Sequence, residues 1–159
     1  MTNHWSEVER ELSRWQRSDS VVKKAVPAYG EWGTQTPWAV LREAMEAGLP
    51  WPIAEGVKGC LGWSDVVLAR FLRVSEKTLQ RSRATGKELG VDAAEKVLDL
   101  VGVLGRGVEA FSDPGRFFAW LRTPSLWFDE AAPESALFDA FGRRRLEEAI
   151  GRIEFGLFS

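Results

Sequence analysis

SDVVLARFLRVSEKTLQRSR, residues 64–83, reads as two short helices joined by a tight turn. Ser64 or Asp65 caps the first, because a short oxygen-bearing side chain satisfies the free N–H groups of a helix start. Leu68, Ala69 and Leu72 follow at helical spacing, and the small Ala69 lets two helices approach closely. Arg73-Val74 makes the turn, Ser75 caps the second helix, and Leu79 points back into a core. Glu76, Lys77, Thr78, Gln80, Arg81 and Arg83 are left facing mostly outward, as a recognition helix in a DNA major groove requires. An ordinary helical hairpin with a solvated charged face satisfies the same pattern.

Charge distribution separates these readings better than the net charge of -2. Residues 64–87 hold six basic and two acidic side chains, about +4. The preceding 63 residues carry seven basic and eight acidic ones, and residues 88–159 carry eight and thirteen. Positive charge therefore gathers at the two-helix motif, and this favours nucleic acid there. The acidic remainder is expected to stay away from phosphate and to suit a basic protein partner.

The rest of the 159 residues, 45% hydrophobic, reads as helices around one core or two small coupled ones. Trp5, Val8, Leu12 and Trp15 form the apolar stripe of an N-terminal helix that docks on the body of the protein or serves as a partner-binding arm. VVKKAV, residues 21–26, fits a helix continuation or a short strand, and PAYGEWGTQ after it is a loop. Thr36-Pro37 opens a helix that stops at Gly48, because proline needs no N–H in the first helical position. Leu49-Pro50-Trp51-Pro52 is a rigid connector to a helix burying Ile53, Val57, Cys60 and Leu61.

Beyond the motif, Asp92 and Glu95 have the spacing of a capping box for a helix from Ala93 to about Phe111. Gly102, Gly105 and Gly107 inside it each cost about 1 kcal/mol relative to alanine, which close approach of another helix would justify. Asp113-Pro114 starts a helix with Phe117, Phe118, Trp120 and Leu121 inward. Pro133 opens a short helix through Leu137, Phe138 and Phe141 that Gly142 breaks, and a last helix runs from Arg143 to about Glu154. No segment alternates as a strand. The expected class is all-α.

Several chemistries lack their residues. One cysteine, Cys60, and one histidine, His4, argue against a disulfide framework and against a transition-metal site. No nucleophile sits beside a base in sequence, and no glycine-rich phosphate loop follows a strand, so neither catalysis nor a cofactor is expected. No apolar run reaches the about 20 residues that span a bilayer, and the charged start MTNHWSEVERE is unlike a signal peptide. A cytoplasmic binding protein is the expectation. The ending FGLFS, residues 155–159, either folds back onto the core or forms an apolar plug for another molecule.

From about Gly48 onward the chain resembles the Xre/MbcA/ParS family of antitoxins, partners of RES-domain toxins. The residues that carry the likeness are LARFLRVSEKTLQR at 68–81, VDAAEKVLDLVGVLGRGVEAF at 91–111, Trp120-Leu121-Arg122-Thr123-Pro124, and the closing GRIEFGLFS. The resemblance implies a helix-turn-helix part over 48–111 and a toxin-binding part over 112–159; residues 1–47, an N-terminal helical extension, have no part in it. It implies a DNA-reading surface of Ser75, Glu76, Lys77, Thr78, Gln80, Arg81 and Arg83 on an operator; helix-turn-helix proteins typically read two half-sites a helical turn apart, so a homodimer is expected. It also implies a toxin-binding surface of Arg152, Ile153, Glu154, Phe155, Gly156, Leu157, Phe158 and Ser159, joined by Arg122 and Thr123. RES toxins degrade or use NAD, and in the family the antitoxin's end reaches toward the toxin's active site. A stand-alone repressor, or a helical interaction module without DNA binding, are the rival functions.

Three positions depart from the family's pattern. Arg73 stands where such turns often carry glycine; if left-handed, it costs about 1 kcal/mol. SLWFDEAA, residues 125–132, lacks the glycine-containing loop common in the family. Phe155 replaces a histidine frequent in relatives.

Overall fold

Local sequence rules account for most helix boundaries in a computed structural model of the chain, which describes residues 4–18, 42 and 45–156. The VVKKAV segment, the PAYGEWGTQ loop and the Thr36-Pro37 helix start lie outside the described residues, as do Leu157, Phe158 and Ser159. The side chain of Trp15 also lies outside them. The described part is mainly helical, as its residue patterns require. It divides into two compact units, Met1–Asp99 and Leu100–Ser159.

In the first unit, Trp5, Val8 and Leu12 of α1 (His4–Ser18) are all buried, against α2 (Trp51–Leu61). Two glycines one turn apart allow that contact. A Cβ at Gly56 would meet Val8 Cγ2 at 2.7 Å, and one at Gly59 would meet His4 Nδ1 at 2.9 Å. The N-terminal helix is thus an integral layer of this unit. Residues 45–47 are helical and end at Gly48, whose φ of 93° suits glycine.

The expected four-residue connector is shorter. Pro50 is already the N-cap of α2, and Pro52 lies in its first turn, where a missing N–H costs nothing. Leu49 instead pairs with Leu89 in an isolated antiparallel bridge, with hydrogen bonds of 2.9 and 3.5 Å. Both leucines are buried.

α3 (Asp65–Leu72) and α4 (Glu76–Thr85) form the expected pair. Ser64 Oγ accepts from the Val67 N–H at 3.3 Å, and Ser75 Oγ from the Thr78 N–H at 3.1 Å, so each serine closes a helix start. Leu68, Ala69, Phe71, Leu72 and Leu79 are buried. Arg73 is the left-handed residue of the turn, with φ 57° and ψ 43°. Its Cβ is crowded there, so Arg73→Gly is expected to raise stability in urea by about 0.5–1 kcal/mol, the left-handed penalty less glycine's greater unfolded-state freedom.

α5 (Val91–Phe111) begins two residues before the expected Ala93. Asp92 is therefore inside its first turn and is no N-cap; Leu89 is fixed by its bridge, and the helix follows at once. The carboxylate still lies beside the positive end of the helix dipole.

The second unit is built on aromatic packing. Asp113 caps α6 (Pro114–Arg122) by accepting from the Gly115 and Arg116 N–H groups. Phe117 is fully buried, with ring centroids 5.6 Å from Phe111 and 5.2 Å from Phe118. It lies over Gly107, where a Cβ would fall within 2.7 Å of three carbons of its ring. One of the three helix glycines thus makes room for an aromatic side chain.

Two 3-10 turns, Leu126–Phe128 and Pro133–Phe138, lead to α7 (Ala140–Glu154). Here two expectations are corrected. Gly142 does not break a helix: Asp139 caps α7 and accepts from the Gly142 N–H at 2.7 Å. Glycine is required because a Cβ there would sit within 2.9 Å of the Ala136 carbonyl group. Phe141 does not end the short helix from Pro133 but lies in the first turn of α7, 83% exposed. Leu146 and Ile150 supply the buried face of α7, and Arg143 beneath them donates to the Leu137 carbonyl at 2.8 Å.

Candidate functional site

On α4 the outward positions are Glu76, Lys77, Thr78, Gln80 and Arg81, all exposed, with Ser75 exposed at its start. Lys77 and Arg81 stand one turn apart, so they share a stripe. Ser75 already has work in the fold, since its hydroxyl also hydrogen-bonds Thr78 Oγ1 at 2.8 Å. That arrangement gives a helix whose first turns carry donors, acceptors and cationic charge outward, the composition a groove-reading helix needs.

Arg83 is placed otherwise than its outward expectation. Its guanidinium turns inward and donates to Glu55 Oε1 from Nε at 2.7 Å. It also grips Asp65 through two parallel hydrogen bonds, each 3.0 Å. Lys58 Nζ joins the same carboxylate at 2.7 Å and lies 3.3 Å from Glu55. Two cations and two carboxylates, each about one-third exposed or less, therefore tie α2, α3 and α4 together. Bidentate arginine–carboxylate geometry makes this a positional clamp on α4.

The clamp shifts its members' titration. Hydrogen bonds from Arg83 and Lys58 hold the Asp65 carboxyl well below its ordinary 3.8. A carboxylate with a depressed folded value adds stability above its unfolded value and loses it as pH falls toward the folded one. Acidification below about pH 4 is thus expected to weaken the first unit, and Asp65→Asn to remove that part of the acid sensitivity while lowering stability at neutral pH. Urea melts at pH 3 and pH 7 measure both effects.

The second set of expected residues lies at the ends of α6 and α7. Arg122 and Thr123 are exposed, and Thr123 Oγ1 donates to the Ala119 carbonyl at 2.9 Å. Ile153 is half-buried, whereas Arg152, Glu154, Phe155 and Gly156 are exposed. Glu154 accepts from Arg106 at 3.2 Å, and Phe155 is 76% exposed. Gly156 is left-handed, with φ 64°. Arg152 and Phe155 are thus on the surface at the end of α7, while Arg122 and Thr123 end a different helix.

Sequence reasoning missed the surface next to them. Ser125 closes a loop by accepting from the Phe128 and Glu130 N–H groups, each at 3.0 Å. Asp129 and Glu130, both left-handed, turn the chain where glycine would be easier. The loop presents Leu126 and Trp127, 82% and 46% exposed. Arg145 donates to the Trp127 carbonyl at 2.8 Å, and the Arg152 guanidinium lies 4.2 Å from the Trp127 ring centroid. Trp127, Phe141, Arg144, Arg145 and Arg152 line an open groove of about 350 Å³. The run Arg143-Arg144-Arg145 was the available signal, because consecutive helical residues cannot all point inward.

Residues 41–102 match the sequence family described as the antitoxin Xre-like helix-turn-helix domain. Over 101 residues the chain is 28% identical to a protein named Antitoxin Xre from Yersinia enterocolitica serotype O:8 / biotype 1B, covering 61% of this chain and 68% of that protein. The helix pair at residues 65–85 lies within the stretch that matches this family.

Proposed function

We propose that this protein is the antitoxin of a type II toxin–antitoxin system, which neutralises a RES-type, NAD-consuming toxin and represses its own operon. The observation that carries the first half is the exposed apolar end of α7, where Phe155 is 76% exposed beside Arg152. An exposed aromatic flanked by arginine is typical of an interface anchor. The likeness to a protein named Antitoxin Xre supports the reading.

In this mechanism the last turn of α7 and the following tail cover the entrance to the toxin's NAD pocket. Phe155, Leu157 and Phe158 supply apolar area, while Arg152, Ile153, Glu154, Gly156 and Ser159 complete the covering segment. Arg122 and Thr123 contribute at its margin. A homodimer reads two operator half-sites one helical turn apart, inserting α4 of each protomer into the major groove. Glu76, Lys77, Thr78, Gln80 and Arg81 face the DNA, Ser75 sets the helix start, and Arg83 holds α4 in position.

Deleting Phe155–Ser159 tests the covering role. Co-expressed with the neighbouring toxin gene, the shortened chain is expected to lose protection while keeping its helical spectrum and operator binding. Undiminished protection would sink the mechanism.

A further inference from the structure

We propose that the groove between the Leu126–Phe128 turn and α7 is a docking site for an acidic segment of a protein partner carrying an apolar anchor. Residues 100–159 hold seven arginines against nine acidic residues, a net-negative unit. Three of those arginines, Arg144, Arg145 and Arg152, nevertheless converge on one groove, where Glu148 is the one acidic lining residue. Arg145 also pairs with Asp129 at 4.0 Å, so three arginines face two carboxylates and the groove keeps a positive charge of about +1, opposite in sign to the unit.

The walls specify the rest of the ligand. Trp127 forms one side, with Arg152 stacked on its face, and Arg145 lies 5.9 Å from the Phe128 ring centroid. Phe141, 83% exposed, adds a second apolar wall. Arginine held flat against an aromatic ring keeps its outer N–H groups available to a carboxylate, while the ring offers apolar contact beside it. Tryptophan, phenylalanine and arginine are the residues enriched in interface centres. The open form suits a peptide segment better than an enclosed small molecule.

Backbone geometry fixes the groove in advance. Arg145 is anchored to the Trp127 carbonyl, and the left-handed Asp129 and Glu130 close the loop that carries the tryptophan. Little ordering remains for the partner to impose, and a preformed site binds at lower entropic cost. Docking itself does not depend on what the partner does; that the segment belongs to the toxin rests on the function proposed above.

The test uses the intact chain, immobilised, and a phage-displayed library of random dodecapeptides. Recovered binders are expected to be enriched in Asp and Glu around an aromatic or aliphatic residue. Their affinity should fall about tenfold or more on Arg144→Glu, on Arg152→Glu and on Trp127→Ala, and should survive Arg116→Glu, a surface charge outside the groove. Thermal melts establish that these surface variants remain folded. A pool without acidic bias, or binders indifferent to all three groove variants, overturns the proposal. So does a result in which only a dT12 oligonucleotide responds to the groove variants, which makes the groove a nucleic-acid site. If acidic peptides dock as expected while the same variants leave toxin protection intact, the groove stands and the toxin assignment fails.

Discussion

Gly107→Ala is expected to destabilise the second unit by about 2–3 kcal/mol, near the upper part of the usual range for overpacking a core. The added methyl would lie within 2.7 Å of Phe117 Cε2, Cζ and Cδ2. Phe117 cannot simply rotate away. It is fully buried, packs on Phe111, Phe118 and Trp120, and sits on α6, whose start is fixed by the Asp113 cap. Intrinsic helix propensity works the other way, since alanine gains about 1 kcal/mol over glycine in a helix. The steric effect must exceed that gain for the prediction to hold, and it does so because an aromatic ring at this distance requires both helices to shift. A thermal midpoint lower by about 5–10 °C is the corresponding signal for a chain of this size. Phe117→Leu supplies the control: in that background Gly107→Ala should cost less by at least about 1 kcal/mol, a coupling well outside additivity. Equal costs in both backgrounds would show that the glycine serves some other purpose.

Features set by neighbours in sequence were legible before any coordinates. Ser75 as a cap, Leu79 as a core residue and Arg73 in the turn are all found so, and of the two candidates Ser64 and Asp65 it is Ser64 that caps the first helix. A cap is a three-residue relation, so the local string contains it. Asp92 shows the limit of the same rule. The spacing to Glu95 was right for a capping box, but the bridge between Leu89 and Leu49, forty residues apart, set the helix start earlier.

Long-range geometry explains the other differences. Gly56 and Gly59 have no local reason to be glycine; the reason is α1, which packs across them from about fifty residues away. Phe141 reads as the end of the short helix from Pro133, yet the next helix begins at Ala140 and carries it to the surface. In the aromatic groove, Trp127 meets Arg145 and Arg152 across 18 and 25 positions of chain, beyond any periodic pattern. The sign of its charge was equally hidden, because the average over the C-terminal part is negative while the arginines converge on one side.

Arg81 and Arg83, two residues apart, are expected to behave as opposites, and this pair tests the assignment of the DNA-reading surface most directly. Arg81 is exposed on the outer stripe of α4, so Arg81→Ala should weaken operator binding about tenfold at low salt and reduce the slope of log K against log salt by about 0.9, the value for one lost phosphate contact. Adding Lys77→Ala should bring the loss of slope to about 1.8 by the same accounting. Neither change removes a packing contact of the core, so stability should move by less than about 0.5 kcal/mol. Arg83→Ala should leave the slope unchanged, because its guanidinium already faces Asp65 and Glu55 within 3.0 Å. Its effect falls on the fold instead. Removing it leaves two carboxylates with Lys58 as their remaining cation in the cluster. A charge-assisted hydrogen-bond network reached by solvent on one side should lose about 1–2 kcal/mol. Fluorescence titrations of operator DNA between 50 and 200 mM salt, with urea melts of the same variants, separate the two residues. A slope that drops as far for Arg83→Ala as for Arg81→Ala, with stability untouched, would mean that α4 turns its other face to the DNA.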